Sequence, residues 1–262
     1  MSWEVSTMPS KRSFCSATLL KKNLSRFWPL WGGASLVGFL IPLWLLLSLL
    51  SYGHQTAVTA VVPGVTFCYA ILCAMAVWSY LYSARSVGLF HALPMDRTCL
   101  FVTNTLSGLA MMLIPYVTTG LPVCLIALGW GFLDLGAALE TAALVILMTL
   151  TFFGVATFCA MITGNIFALP AFYLVLNFAF PALELMVTGF AQQFLVGLAG
   201  ASTGALDFLS PVMMLYGRLN AYYMDGVPVL EGAPTAAVYG LVGIALLVVS
   251  WGLYRLRRSE SA

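Results

Sequence analysis

Residues 141–183 read TAALVILMTLTFFGVATFCAMITGNIFALPAFYLVLNFAFPAL and contain no charged side chain. A membrane-spanning helix needs about 20 consecutive apolar residues, so this stretch is long enough for two crossings. Gly164-Asn165 divides it and predicts a turn between the two. The stretch therefore predicts two successive transmembrane helices. The first covers 141–163, and the second covers 166–198 and is broken near 181–184.

The composition of the whole chain agrees with a membrane location. Of its 262 residues, 61% are hydrophobic and 8% are charged, with eleven Lys and Arg against nine Asp and Glu. Soluble domains carry about 25% charged residues, and so few charges cannot cover a soluble surface. The same numbers argue against a disordered chain, a nucleic-acid-binding protein and a secreted disulfide scaffold. We therefore expect an all-α polytopic membrane protein with a single transmembrane domain over 1–262.

Further charge-free stretches supply the other crossings. The run 27–84 is long enough for two helices, and the polar patch 51–56 divides it. The stretch 185–206 leaves a seventh crossing open. The most economical count is six transmembrane helices, over about 30–51, 57–82, 100–130, 141–163, 166–198 and 234–254.

The basic residues set the predicted orientation, because cytoplasmic loops are enriched in Lys and Arg. With six spans, ten of the eleven basic residues fall on one side, and Arg218 is the exception. Seven spans would separate the basic tail from the basic N-terminal region. We therefore expect six crossings of the plasma membrane, both termini in the cytoplasm, and no cleaved signal peptide. Residues 201–233 form the external region, with an apolar helix near 206–216 and a polar loop around Asn220 to Gly226.

Residues 11–28 predict an amphipathic helix at the inner membrane surface. At 100° per residue, Lys and Arg fall on one face, where they would meet anionic lipid headgroups. A basic flank that only fixes orientation is the alternative interpretation. The opposite, apolar face contains Phe14, Leu20, Leu24, Phe27 and Trp28.

The segment 84–98 joins the second and third predicted spans on the cytoplasmic side and is longer than a simple connection requires. Leu89, Phe90 and Leu93 form an apolar face, and Pro94 ends the short helix. A short amphipathic helix held between two spanning helices is typical of a docking surface for a soluble partner. A plain structural loop is the alternative.

This segment also carries a family resemblance. The string LFHALPMDR over 89–97, followed by Asn104 and Ser107-Gly108, resembles the permease subunits of bacterial ABC-2 type transporters, in which a Leu-Pro-x-x-Arg core precedes the third span. The string LDFLSP over 206–211 is similar to the (Y/F)-L-S-P stretch of that family's external region. The prolines and the Trp that often precede Ser-Pro in the family are absent here.

The resemblance implies a non-enzymatic permease subunit of an ATP-driven exporter that works by alternating access. No G-x-x-x-x-G-K-[ST] motif occurs in the chain, so two copies of a partner ATPase would bind ATP and Mg. A second permease chain, identical or paralogous, would complete the complex. The scarcity of charge within the spans suggests an apolar or amphipathic cargo, such as a peptide, a lipid-like molecule or a drug. The residues implied to contact the ATPase are Arg85, Leu89, Phe90, His91, Leu93, Pro94, Asp96 and Arg97.

Glu184 is the one acidic residue within a predicted apolar stretch, and Pro181 precedes it. A carboxylate in the membrane is costly unless it is paired or hydrated, so it indicates a functional site. Two interpretations stay open. Glu184 lines the translocation path beside a helix break at Pro181, or it sits at the outer headgroups.

An intramembrane enzyme and a self-sufficient carrier or channel are the alternative functions. The chain has no H-E-x-x-H motif and no evident internal repeat. His54 and His91 are too far apart in the predicted topology to share a metal, and the six cysteines lack a C-x-x-C spacing. We expect no metal site, no structural disulfide and no cofactor bound by this chain.

Overall fold

The computed structural model describes residues 15–37, 57–82, 96–129, 135–194, 204, 206–224 and 227–256. These ranges are mainly helical, with one two-stranded hairpin. The α-helices are α1 (Ala17–Arg26), α2 (Ala57–Trp78), α3 (Arg97–Pro115), α4 (Leu121–Gly129), α5 (Leu135–Ile162), α6 (Ala168–Phe194), α7 (Pro211–Arg218) and α8 (Ala233–Leu256). The strands are β1 (Asn220–Met224) and β2 (Val227–Glu231), and residues 28–37 are also helical. The remaining elements are 3-10 turns at Ser79–Tyr82 and Asp207–Leu209 and a π-helix at Tyr116–Gly120 between α3 and α4.

Five helices in the described residues are long and apolar enough to cross a membrane. They are Pro63–Tyr82, Arg97–Ile126, Ala138–Ile162, Ala168–Phe194 and Ala233–Leu256. They correspond to five of the six predicted spans, which confirms a helical chain embedded in a membrane. The predicted first span, 30–51, is described only over 30–37, where it is helical, and its remainder lies outside the described residues.

The predicted break in the fifth span near 181–184 is wrong. The helix α6 runs without interruption from Ala168 to Phe194, with Pro181 inside it. Proline removes one backbone donor, and membrane helices tolerate this loss where neighbouring elements support the chain. Pro181 is buried against the rest of the bundle, so packing holds the helix together at the point where local sequence favours a break.

Helix ends that the predicted topology assigns to one side of the membrane lie together in the structure. The ring of Trp78, at the end of α2, lies 5.2 Å from that of Phe101, near the start of α3. The Tyr82 hydroxyl donates to the carbonyl oxygen of Ala160, near the end of α5, at 3.1 Å. We call this the basic end, because α1 and the described ends of α3 and α8 bring five basic residues to it. They are Lys21, Lys22, Arg26, Arg97 and Arg255.

The tightest helix pair is α5 with α8, and glycine makes it possible. A Cβ atom at Gly154 would overlap the carbonyl oxygen of Gly243, and a Cβ atom at Gly243 would overlap that of Leu150. Lipid supplies no hydrophobic force between helices, so close backbone approach and van der Waals contact stabilise such pairs. The crossing places α5 at the centre of the bundle, with Phe152 and Phe153 fully buried.

A proline in α3 creates the link between α2 and α3. Pro115 has no N–H, so the carbonyl of Met111, four residues earlier, lacks its helical donor. The Tyr69 hydroxyl of α2 donates to that carbonyl at 2.9 Å. Just beyond, the Thr119 hydroxyl donates to the carbonyl of Pro115 at 2.6 Å. Side-chain hydroxyls therefore satisfy backbone groups that water cannot reach in a membrane.

The region 201–233 differs from its prediction, because a hairpin replaces the polar loop expected from Asn220 to Gly226. The strands β1 and β2 pair antiparallel with Met224 opposite Val227. The two residues between them in the sequence are Asp225-Gly226, a dipeptide typical of two-residue hairpin turns. Apart from this hairpin, the described elements are helical, as the predicted all-α fold class expects.

We expect Gly243→Ala to lower the free energy of unfolding by about 1–3 kcal/mol, as overpacking does elsewhere. The added methyl group forces α5 and α8 apart, and thermal unfolding in detergent measures the loss. Gly189→Ala on α6 is the matched control, since no atom lies within 4 Å of its added Cβ. Equal melting temperatures for the two variants would contradict the close crossing.

Candidate functional site

The predicted coupling segment, 84–98, is described only at its end. Asp96 and Arg97 are exposed at the start of α3, with Asp96 in extended conformation at the N-cap position. The other predicted ATPase-contacting residues lie outside the described residues: Arg85, Leu89, Phe90, His91, Leu93 and Pro94.

The helix ends on either side of this segment pack on each other through the basic-end aromatic cluster, which consists of Trp78, Tyr80, Phe101 and Tyr254. Trp78 is fully buried, and its ring centroid lies 6.2 Å from those of Tyr80 and Tyr254. The rings of Phe101 and Tyr254 lie 5.5 Å apart. The Tyr80 hydroxyl donates to that of Tyr254 at 3.2 Å. The cluster fixes the end of α2, the start of α3 and the end of α8 relative to one another.

A second contact at the basic end joins α1 to α3 through buried polar groups. The Asn23 side-chain amide donates to Asn104 Oδ1 at 2.8 Å and to Ser107 Oγ at 3.3 Å. The Ser16 backbone N–H donates to Thr103 Oγ1 at 3.1 Å. We call these five residues the polar joint. Leaving a buried polar group without its partner costs about 1–3 kcal/mol, so the polar joint holds α1 in one position on α3.

Local sequence explains where α1 begins and ends. Ser16 is its N-cap, and the Ser16 hydroxyl accepts from the Leu19 N–H at 3.4 Å. At the other end, the indole N–H of Trp31 donates to the Leu24 carbonyl at 2.9 Å. This bond satisfies one of the carbonyls that a helix leaves unpaired at its C-terminus.

The predicted apolar face of the N-terminal helix is only partly covered. Leu20, Leu24 and Phe27 are half-buried, and Leu24 and Phe27 pack against the core. Trp28 is 61% exposed, and Phe14 lies outside the described residues. The chain is helical here as expected, and a location at the membrane surface stays a prediction.

Sequence reasoning missed Asn23, the buried residue of α1. The available signal lies in the third span, where Thr103, Asn104 and Ser107 place three polar side chains within about one helical turn. Polar groups in a membrane helix need partners from neighbouring helices. An amide on an adjacent helix meets that need.

The outward face of α1 is basic. Its side chains line a shallow, open groove and are all exposed. No Asp or Glu occurs in residues 5–95, so this part of the sequence carries no acidic counterpart. The residues of this face are Thr18, Lys21, Lys22, Ser25 and Arg26.

Glu184 contacts the chain that follows α6. Its Oε2 atom accepts a hydrogen bond from the backbone N–H of Leu206 at 2.8 Å. Leu206 directly precedes the 3-10 turn Asp207–Leu209, and the carbonyl of Phe208 in that turn accepts from the Tyr239 hydroxyl of α8 at 2.6 Å. Glu184 is thus half-buried on a continuous helix and is not beside a helix break.

In the described part of the chain, no three His, Cys, Asp or Glu side chains are grouped to hold a metal ion. No known protein family model matches the chain, and no curated protein matches it.

We expect Asn23→Leu to loosen α1, because the substitution removes the two hydrogen bonds that Asn23 donates to α3. Hydrogen exchange of the amides in 17–26 should become about tenfold faster or more, in line with a loss of about 1–3 kcal/mol. Ser25→Ala, on the exposed face of the same helix, should exchange like the wild type. Unchanged exchange in Asn23→Leu would show that the polar joint does not hold α1.

Proposed function

We propose that this chain is the membrane-spanning permease subunit of an ATP-driven ABC-type exporter, with a separate ATPase docked at the basic end. The basic-end aromatic cluster carries the proposal. Trp78 and Phe101, with ring centroids 5.2 Å apart, join the helix that enters segment 84–98 to the helix that leaves it. Because the ends of α2 and α3 are packed together, a displacement of the docking segment between them would move both helices at once. Coupling to an ATPase requires this property.

The sequence supports the same interpretation independently. The LFHALPMDR string at 89–97 and the LSP stretch at the start of α7 occur in the order seen in ABC-2 permease subunits. In the proposed complex, two ATPase copies bind ATP and Mg, and a second permease chain, identical or paralogous, completes the pathway. This chain performs no catalysis itself. The cargo is apolar or amphipathic, since the spans carry so few charges.

We further propose six crossings of the plasma membrane with both termini in the cytoplasm. The grouping of basic residues at one end of the bundle supports this orientation. In that arrangement α1 lies at the inner surface with its basic face toward anionic headgroups. The region 201–233 then lies at the outer surface.

Replacing Leu93 and Pro94 with glycine and Arg97 with glutamate should release the ATPase. We expect at least a tenfold loss of co-purified ATPase, identified by mass spectrometry as a protein with a Walker A motif, when the tagged chain is isolated from its native cells. Arg255→Glu is the matched control, since Arg255 is also exposed at the basic end but lies outside the segment. A wild-type chain that transports without any ATPase would overturn the proposal.

The aromatic cluster should be needed for coupling but not for docking. We expect Trp78→Ala to keep the ATPase bound and to lose most substrate-stimulated ATP hydrolysis in reconstituted vesicles. The reason is that the flanks of the segment no longer move together. Trp28→Ala removes an indole that is 61% exposed and should retain stimulation. Full stimulation in Trp78→Ala would show that the cluster has no part in coupling.

A further inference from the structure

Leu206, twelve positions beyond the end of α6, lies beside Glu184 of that helix. From Glu184, α6 continues for about 15 Å to Phe194, at 1.5 Å per residue. The backbone N–H of Leu206 nevertheless lies 2.8 Å from the Glu184 carboxylate. By residue 206, therefore, the chain has come back to the level of Glu184. We call residues 206–219 the return segment.

The helix α6 is attached to the bundle along one narrow stripe. Its fully buried residues recur every four positions, which places them on one face. Glu184 follows the last of them by three positions and continues the same face. At this point the neighbour of α6 is the return segment. The buried residues are Leu169, Tyr173, Asn177 and Pro181.

The return segment is also attached to the apolar core and to α8. Leu215 is fully buried and Leu219 nearly so, which anchors the segment in the apolar core. The Tyr239 hydroxyl of α8 donates to the Phe208 carbonyl at 2.6 Å. The segment thus has an apolar anchor and a tie to α8, and it meets α6 at Glu184.

We propose that Glu184 is a positioning residue that latches the return segment onto α6. Together with the bond between Tyr239 and Phe208, it joins α6 to α8 through a segment that belongs to neither helix. Movement of α6 away from the bundle breaks the contact between Glu184 and Leu206, because the segment stays with the core. The latch does not depend on the proposed function. Only its use, as a contact that opens when the exporter releases cargo, rests on that proposal.

Hydrogen exchange of the full chain in lipid nanodiscs tests the latch at the bonded amide itself. Glu184→Leu removes the acceptor, and the amides of 206–210 should exchange about tenfold faster or more. Glu184→Asp keeps the charge but shortens the side chain by one methylene. The amides of 206–210 in this variant should therefore exchange nearly as fast as in Glu184→Leu. Glu184→Gln keeps an oxygen acceptor at the same reach and should show a smaller increase. This order distinguishes a hydrogen bond from a simple effect of charge.

Gln193→Leu is the matched control, since Gln193 is exposed on the same helix. In this variant the amides of 206–210 should exchange as in the wild type. Wild-type exchange in both Glu184→Leu and Glu184→Asp would overturn the latch. An equal increase throughout α2 and α5 would also overturn it, because the effect would then be global. If the Leu variant fails to fold, the Asp and Gln variants carry the test. Absence of a partner ATPase would overturn the exporter and leave this exchange result unaffected.

Discussion

The close crossing of α5 and α8 is the contact on which the rest of the bundle depends. Glycine at 154 and 243 lets two backbones approach to a distance that any side chain would prevent. This contact fixes α5 at the centre, and Phe153 of α5 then fills the space left by Gly108 on α3. Since lipid competes equally well for apolar side chains, shape fit of this kind selects the arrangement of the helices.

The spans were predictable because lipid imposes a simple rule on sequence: a crossing must be long, helical and almost free of charge. The other features depend on partners distant in the chain. Pro181 favours a local break, yet packing keeps α6 continuous. The polar composition of residues 220–226 predicts a loop, whereas Asp225-Gly226 within it is typical of a two-residue hairpin turn. The segment 84–98 was predicted from its pattern, and most of it lies outside the described residues.

The partners of buried polar groups were equally hard to predict from the sequence. The sequence shows that the Glu184 carboxylate is energetically unfavourable in a membrane and therefore indicates a functional residue. It does not identify the group that pairs with this carboxylate. The structure supplies a backbone N–H from a residue 22 positions away. Asn23 and Tyr69 follow the same logic, since each satisfies a group on α3 that is distant in sequence. The structure places Leu206 of the protein's own chain beside the Glu184 carboxylate, and a position on the translocation path or at the outer headgroups stays a prediction.

The aromatic cluster and the latch lie at opposite ends of α8, and this helix connects them. Tyr254 belongs to the cluster beside the predicted docking segment, and Tyr239 holds the return segment. Fifteen residues separate them, or about 22 Å along a helix at 1.5 Å per residue. Because the backbones of α5 and α8 are in close contact at Gly243, α5 supports α8 between these points. One helix thus joins the aromatic cluster to the return segment, and its close crossing with α5 holds it in place between them.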